Sequence, residues 1–172
     1  MLFRSVGSAR SALFNFLIAR QDPEGVFILR IEDTDADRNR EEWVTGITEA
    51  MHWLGFDPDE GPYRQSEYTV EHQAAVAALL ASGHAYYCDC TGEMVQARKG
   101  ENKTPGYDGF CRNRQLPQAS NTAVRFKTPD EGTVVVHDLI RGDVAFSHEV
   151  IDDFVVAKSS GQVLYALANR SE

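Results

Sequence analysis

The chain has 172 residues, a formal net charge of −9, 42% hydrophobic and 25% charged residues. A chain of this size carries one domain, or one and a half small ones, with a real core, and the composition is ordinary for a globular protein. The acidic excess excludes a free-standing nonspecific DNA or RNA binder, whose affinity rests on basic groups facing phosphates, so any RNA contact must be local. No stretch approaches the roughly 20 apolar residues of a membrane span, and the first residues lack the layout of a signal peptide. The reading is therefore a cytoplasmic protein with neither membrane nor DNA as partner. Three cysteines, an odd number, point to free thiols or metal ligands rather than a disulfide framework.

In chain order, the run over 10–20 has apolar residues on most faces and no breaker, which predicts a helix largely buried against a sheet. A turn at Pro23 and Gly25 leads into a strand over 26–31. Over 41–54, Trp43, Ile47, Met51 and Leu54 recur at helical spacing, and Gly55 is placed to end that helix. An acidic loop over 56–64 and a helix over 69–81 follow, completing an α/β layer. Beyond Ser82 and Gly83 the pattern changes. A strand over 85–88 precedes a polar, glycine-containing stretch over 91–121, and short strands are predicted over 123–127, 133–138, 143–146, 153–157 and 163–167.

Four places carry candidate chemistry. The apolar strand over 26–31 runs straight into Glu32, Asp33 and Asp35, and polar groups at the carboxyl end of a strand are where open α/β sheets bind ligands. The competing reading is a solvated turn or helix cap. Gly7, Ser8 and Ala9 open the first helix with small residues that let a phosphate or purine approach its N-terminus, although the same residues serve as a plain cap. Cys88 and Cys90 lie two residues apart with Cys111 downstream. Three thiolates leave one position of a tetrahedral zinc site for His84, Asp89, Tyr107 or Asp108, unless the thiols are unrelated. Tyr165 and Asn169 place polar tips on an apolar run and suit a small polar ligand, or the core. No Ser/His/Asp or Cys/His arrangement stands out, so no catalytic side chain is assigned.

The order of these motifs resembles the glutamyl-tRNA synthetase family. Gly7-Ser8-Ala9-Arg10-Ser11-Ala12-Leu13-Phe14-Asn15, Leu29-Arg30-Ile31-Glu32-Asp33-Thr34-Asp35, Trp53-Leu54-Gly55 and Asp59-Glu60-Gly61-Pro62-Tyr63-Arg64-Gln65-Ser66 carry the likeness. It continues through Val136-His137-Asp138-Leu139-Ile140-Arg141-Gly142, Asp152-Asp153-Phe154-Val155 and the segment from Tyr165 to Asn169. The resemblance implies an α/β fold: an incomplete Rossmann-type nucleotide-binding parallel sheet with a β-rich acceptor-binding insert. It divides the chain into 1–81 (first catalytic part), 82–161 (acceptor-stem insert with the zinc site) and 162–172 (start of the second catalytic half). The implied reaction is ATP- and Mg²⁺-dependent ligation of L-glutamate to the acceptor end of tRNA-Glu through glutamyl-adenylate. Glu32, Tyr165 and Asn169 then correspond to glutamate-binding residues, Gly7 to the glycine beneath the adenine, and Arg38 to a basic residue near the tRNA end or nucleotide. Relatives with Cys-x-Cys followed by Tyr-x-x-x-Cys hold zinc through those side chains, here Cys88, Cys90, Tyr107 and Cys111.

The departures from the family pattern carry their own expectations. The leading strand and its proline-rich loop are absent, Ser5 stands where the family has a phosphate-binding histidine, and no Lys-Met-Ser-Lys-type loop or anticodon domain follows. The chain thus reads as a fragment of a synthetase, with no adenylate formation expected from it alone. Two alternatives are a glutamyl-queuosine tRNA-Asp synthetase relative and a non-catalytic zinc-stabilised remnant.

Overall fold

The computed structural model describes residues 6–34, 40–99 and 106–168. The chain falls into two compact units, Met1–Tyr68 and Thr69–Glu172, so the helix over 69–81 groups with the second.

The first unit runs α1 (Val6–Ala19), β1 (Ile28–Ile31), α2 (Glu41–Trp53) and β2 (Glu60–Arg64), then a 3₁₀ turn over Gln65–Tyr68. β1 and β2 pair in parallel, with the register shifting between Ile28 and Arg30. Two parallel strands joined through one crossover helix, α2, with α1 before them, are the core of a mononucleotide-type layer. β2 occupies the segment expected to be a loop. Its Gly-Pro pair is unfavourable within a strand, yet Gly61 is required there, because a Cβ would lie 2.3 Å from the Leu29 carbonyl oxygen and φ is +98°. α2 buries Val44 and Met51 and ends in a Schellman cap. Gly55 N–H bonds the His52 carbonyl at 3.0 Å and Phe56 N–H that of Met51 at 2.9 Å.

α1 departs from the expectation of burial, since no residue of it is buried and Ile18 is 66% exposed. Among the described residues its sheet has only two strands, too narrow to cover a helix that is apolar on most faces. Contact is concentrated at Phe16, whose ring meets Phe27 and Phe56 at centroid distances of 5.6 and 5.4 Å.

The second unit is built on the antiparallel sheet β3–β4–β7, of Ala85–Cys88, Ala123–Phe126 and Val155–Ala157. Its core is Ala85, Val124, Val156, Ala157, Val163 and Ala168, covered by Val76, Leu79 and Leu80 of α3 (Thr69–Ala81). A separate hairpin, β5 (Thr133–Asp138) and β6 (Gly142–Ser147), leaves Leu139 and Ile140 exposed at its tip. Two expectations are corrected. The stretch over 91–121 contains a helix, α4 (Gly92–Lys99), whose first turn is capped by the Thr91 hydroxyl accepting from Met94 N–H at 3.2 Å. The strand expected over 163–167 is a single bridge, Val163 with Ala157, followed by a helical turn, α5 (Tyr165–Ala168). Leu164 N–H already bonds the Val156 carbonyl, and the good helix formers Ala166, Leu167 and Ala168 turn away after it.

An ion pair joins the end of α1 to the residue before β2, and the same acid reaches the approach to β1. Asp59 accepts from Arg20 at 2.7 and 2.9 Å and from Phe27 N–H at 2.7 Å. The guanidinium first, and the backbone donor second, hold the Asp59 carboxyl below its ordinary value. A depressed carboxyl contributes stability that is present above the unfolded-state pKa and lost as pH falls through the folded one. Melting temperatures measured downward from about pH 6 should therefore fall less steeply for Asp59→Asn than for the wild type. Parallel curves would show that the pair adds nothing.

Candidate functional site

In the first unit the acid cluster after β1 divides by role. Glu32 is exposed at the carboxyl end of the strand and lines a cavity of about 1300 Å³ together with Ser8, Asn15 and Arg30. Gly7 lies in the first turn of α1 between Val6 and Ser8, both on that cavity. Asp33 is buried instead, accepting from the Ser66 backbone N–H at 2.8 Å and the Ser66 hydroxyl at 2.7 Å. It clamps the exit of β1 to the residue pair following β2, which fixes the direction in which Glu32 leaves the sheet. Asp35 and Arg38 lie outside the described residues.

In the second unit, the end of β3 and the loop after α4 bring four donors together. The sulfurs of Cys88, Cys90 and Cys111 all lie within 4.8 Å of one another, with Cys90 and Cys111 3.4 Å apart. The Tyr107 hydroxyl oxygen is 3.4 Å from the Cys88 sulfur and 3.7 Å from that of Cys90, and it accepts the Cys111 backbone N–H at 2.8 Å. A tetrahedral zinc with sulfur ligands at about 2.3 Å spans edges of roughly 3.8 Å, so these spacings fit one ion. The other three candidates for the fourth position are engaged elsewhere. His84 meets the Ser82 hydroxyl, Asp108 pairs with Arg98, and Asp89 pairs with Arg114 while touching only the Cys111 sulfur.

The thiols are not equivalent. Burial pushes the Cys88 thiol up, but Tyr107, the backbone at Cys90 and Arg125 outweigh it, so the group ends below its ordinary value. At Cys111 burial prevails and the thiol is raised. Burial, with Cys111 and Cys88 as hydrogen-bond neighbours, raises the Tyr107 phenol.

Two adjacent acids hold the ligand-bearing loop in place. Asp152 accepts from Tyr107 N–H at 2.6 Å. Asp153, 3% exposed, accepts from Arg112 at 2.5 and 2.7 Å, from the Tyr86 hydroxyl at 2.5 Å and from Thr128 N–H at 2.9 Å. Arg112 also pairs with Asp130 and donates to the Thr128 carbonyl. The loop is thus fastened beside both Tyr107 and Cys111. Sequence reasoning singled out the Asp152-Asp153 pair only as part of a resemblance. Its positioning role has no periodic signature, because its partners lie up to 67 residues away. Asp153→Ala leaves Arg112 with the exposed Asp130 and the Thr128 carbonyl, takes the acceptor from the Tyr86 hydroxyl and the Thr128 N–H, and should destabilise the chain by about 2–4 kcal/mol. A urea midpoint unchanged by that substitution would refute the role of Asp153.

Tyr165 opens α5 and is 55% exposed, and Asn169 lies outside the described residues. Tyr165 belongs to the second unit and Glu32 to the first.

A family described as "tRNA synthetases class I (E and Q), catalytic domain" matches residues 4–170. The chain belongs to that family. Among relatives of this synthetase family, the glutamate–tRNA ligase of Salinispora tropica is 55% identical over 166 residues and that of Thermobifida fusca 53% over 168. Each match covers 95% of this chain and 35% of the relative, so the chain spans about a third of their length. In three dimensions it resembles a glutamate tRNA ligase of Elizabethkingia meningosepticum in complex with its amino acid, with TM-score 0.80 and 30% identity. A glutamate-tRNA synthetase of Elizabethkingia anophelis matches with TM-score 0.81 and 30% identity. Both matches cover 95% of this chain and 38% of the other. The parallel pair with its helices is therefore part of a Rossmann-type class I fold.

Proposed function

We propose that this chain supplies part of the catalytic domain of a glutamate–tRNA ligase. An oxygen of the glutamate α-carboxylate attacks the α-phosphorus of ATP, whose charge Mg²⁺ neutralises, and pyrophosphate leaves. The hydroxyl of the 3′-terminal adenosine of tRNA-Glu then attacks the adenylate carbonyl, and AMP leaves. The substrate carboxylate is itself the nucleophile, so orientation and charge neutralisation carry the work rather than protein acid–base groups. The observation that carries the reading is an exposed carboxylate, Glu32, at the carboxyl end of a parallel strand and on the wall of a large cavity. There it suits the α-ammonium group of glutamate. Tyr165 and Asn169 are proposed on the glutamate side, Gly7 beneath the adenine, and Arg38 toward the nucleotide or tRNA end. The segment after Ala81 is proposed to meet the acceptor stem, in a cytoplasmic enzyme. The relatives named above are glutamate–tRNA ligases, and no observation favours the queuosine-modifying alternative.

The activity is tested in a chimera in which residues 6–168 replace their counterpart in the Thermobifida fusca ligase. Charging of tRNA-Glu is expected, and Glu32→Gln should raise the KM for glutamate at least about tenfold, the worth of a hydrogen bond to a charged group. A folded chimera that charges no glutamate would refute the proposal.

Cys88, Cys90, Tyr107 and Cys111 would hold a zinc ion. A structural zinc cross-links side chains and contributes directly to folding free energy. What supports it is the convergence of three sulfurs and one phenol oxygen at ligand spacing. Purified protein should carry about one zinc per chain and Cys111→Ser should lose it, whereas wild-type content below about a tenth of an equivalent would remove the assignment.

A further inference from the structure

Each of the three sulfurs has its own guanidinium. Arg98 Nη2 donates to Cys90 Sγ at 3.4 Å, Arg114 Nη1 to Cys111 Sγ at 3.3 Å, and Arg125 Nε to Cys88 Sγ at 3.3 Å. None of the three is a loose surface side chain. Arg98 is gripped by Asp108 at 2.5 and 2.9 Å, Arg114 by Asp89 at 2.7 and 3.3 Å, and Arg125 by the Asp153 carbonyl at 2.6 Å. Arg125 also lies over the Tyr107 ring, 3.7 Å from its centroid, so one cation meets a sulfur and the ring that carries the oxygen donor. Arg98 and Arg114 are braced further by the Phe110 ring, at 4.3 and 5.0 Å. Arg112, next to Cys111 in the chain, sends its guanidinium to Asp153, Asp130 and the Thr128 carbonyl instead.

We propose that Arg98, Arg114 and Arg125 form a guanidinium collar that sets a hydrogen-bond donor on each sulfur of the cysteine-rich metal centre, offsets part of its charge and suppresses the sulfurs as nucleophiles. The proposal rests on the zinc reading above. Three thiolates and a phenolate around one divalent cation leave two negative charges in excess, of which the three guanidinium groups, less the Asp89 and Asp108 carboxylates paired with two of them, offset one; Cys88 and Cys111 are almost fully buried, at 2% and 1% exposure. Buried excess charge is costly unless it is paired and hydrogen-bonded. Ion pairs with Asp89 and Asp108 alone would not account for the arrangement, since partly exposed pairs contribute little, whereas a donor held on each sulfur tunes the ligand itself. An N–H on a thiolate draws density from its lone pair, which makes the sulfur a poorer attacking group. The three arginines are positioning residues of a closed, structural centre.

The test uses the full chain loaded with cobalt(II) for spectroscopy and with zinc for reactivity. In Arg98→Met, Arg114→Met and Arg125→Met the sulfur-to-cobalt charge-transfer band should move to lower energy. The zinc-loaded variants should react severalfold faster with neutral iodoacetamide, in which the sulfur forms a bond to the methylene carbon and iodide leaves. Arg125→Lys keeps the charge without the Nε donor and should give an intermediate band position. Should Arg125→Met fail to fold, the two half-exposed positions, Arg98 and Arg114, decide. Wild-type protein that holds no metal removes the zinc reading and the collar together. Wild-type protein with one metal per chain, and variants with unchanged band and alkylation rate, overturn the collar and leave the zinc reading standing.

Discussion

The buried carboxylate of Asp153 is the interaction on which the second unit depends. It receives donors from β3, from the segment after β4 and from the loop that carries Tyr107 and Cys111, and it lies two residues before β7. Burial alone pushes this carboxyl up, yet Arg112, Tyr86 and Thr128 together hold it below its ordinary value, so it stays charged. A carboxylate saturated in this way is costly to remove, because the Tyr86 hydroxyl and the Thr128 N–H would lose their acceptor and Arg112 its buried counter-charge. The antiparallel sheet and the thiol cluster therefore form one structure, fastened at Asp153 and, through Tyr107 N–H, at its neighbour Asp152.

The first unit uses the same device on a smaller scale. Asp33 binds both donors of Ser66, and Asp59 ties Arg20 to the Phe27 backbone. Both acids serve the fold, which leaves Glu32 as the carboxylate free to face a ligand. The division follows from alternation along an extended chain, where neighbouring side chains point to opposite sides. Glu32 is turned toward the cavity, while Asp33 is turned toward the segment after β2.

What was legible in the residues was mostly local. The bounds of α3, β3 and β5 follow from apolar spacing and turn residues, and Gly55 marks the end of α2. Elements that depend on distant partners were not. β2 contains a Gly-Pro pair that argues against a strand and forms because Gly61 lets the chain approach Leu29 closely. α4 is capped by Thr91 inside a stretch whose polar residues read as loop. The segment after Val163 has the apolar pattern of either element, and the bridge to Ala157 ended its extended stretch after one residue.

The sequence by itself determined the family, through ordered motifs that cover nearly the whole chain, and the kinds of group available for chemistry: an acid after a strand, and three thiols with a tyrosine between them. Only the tertiary structure decided how those groups are used. It separated Glu32 from Asp33, selected Tyr107 over His84, Asp89 and Asp108 as the oxygen touching two sulfurs, and set one arginine on each cysteine. The reason is physical. Spacing along the chain limits which residues share a segment, but charge compensation and hydrogen bonding act between segments that meet only when the core has formed.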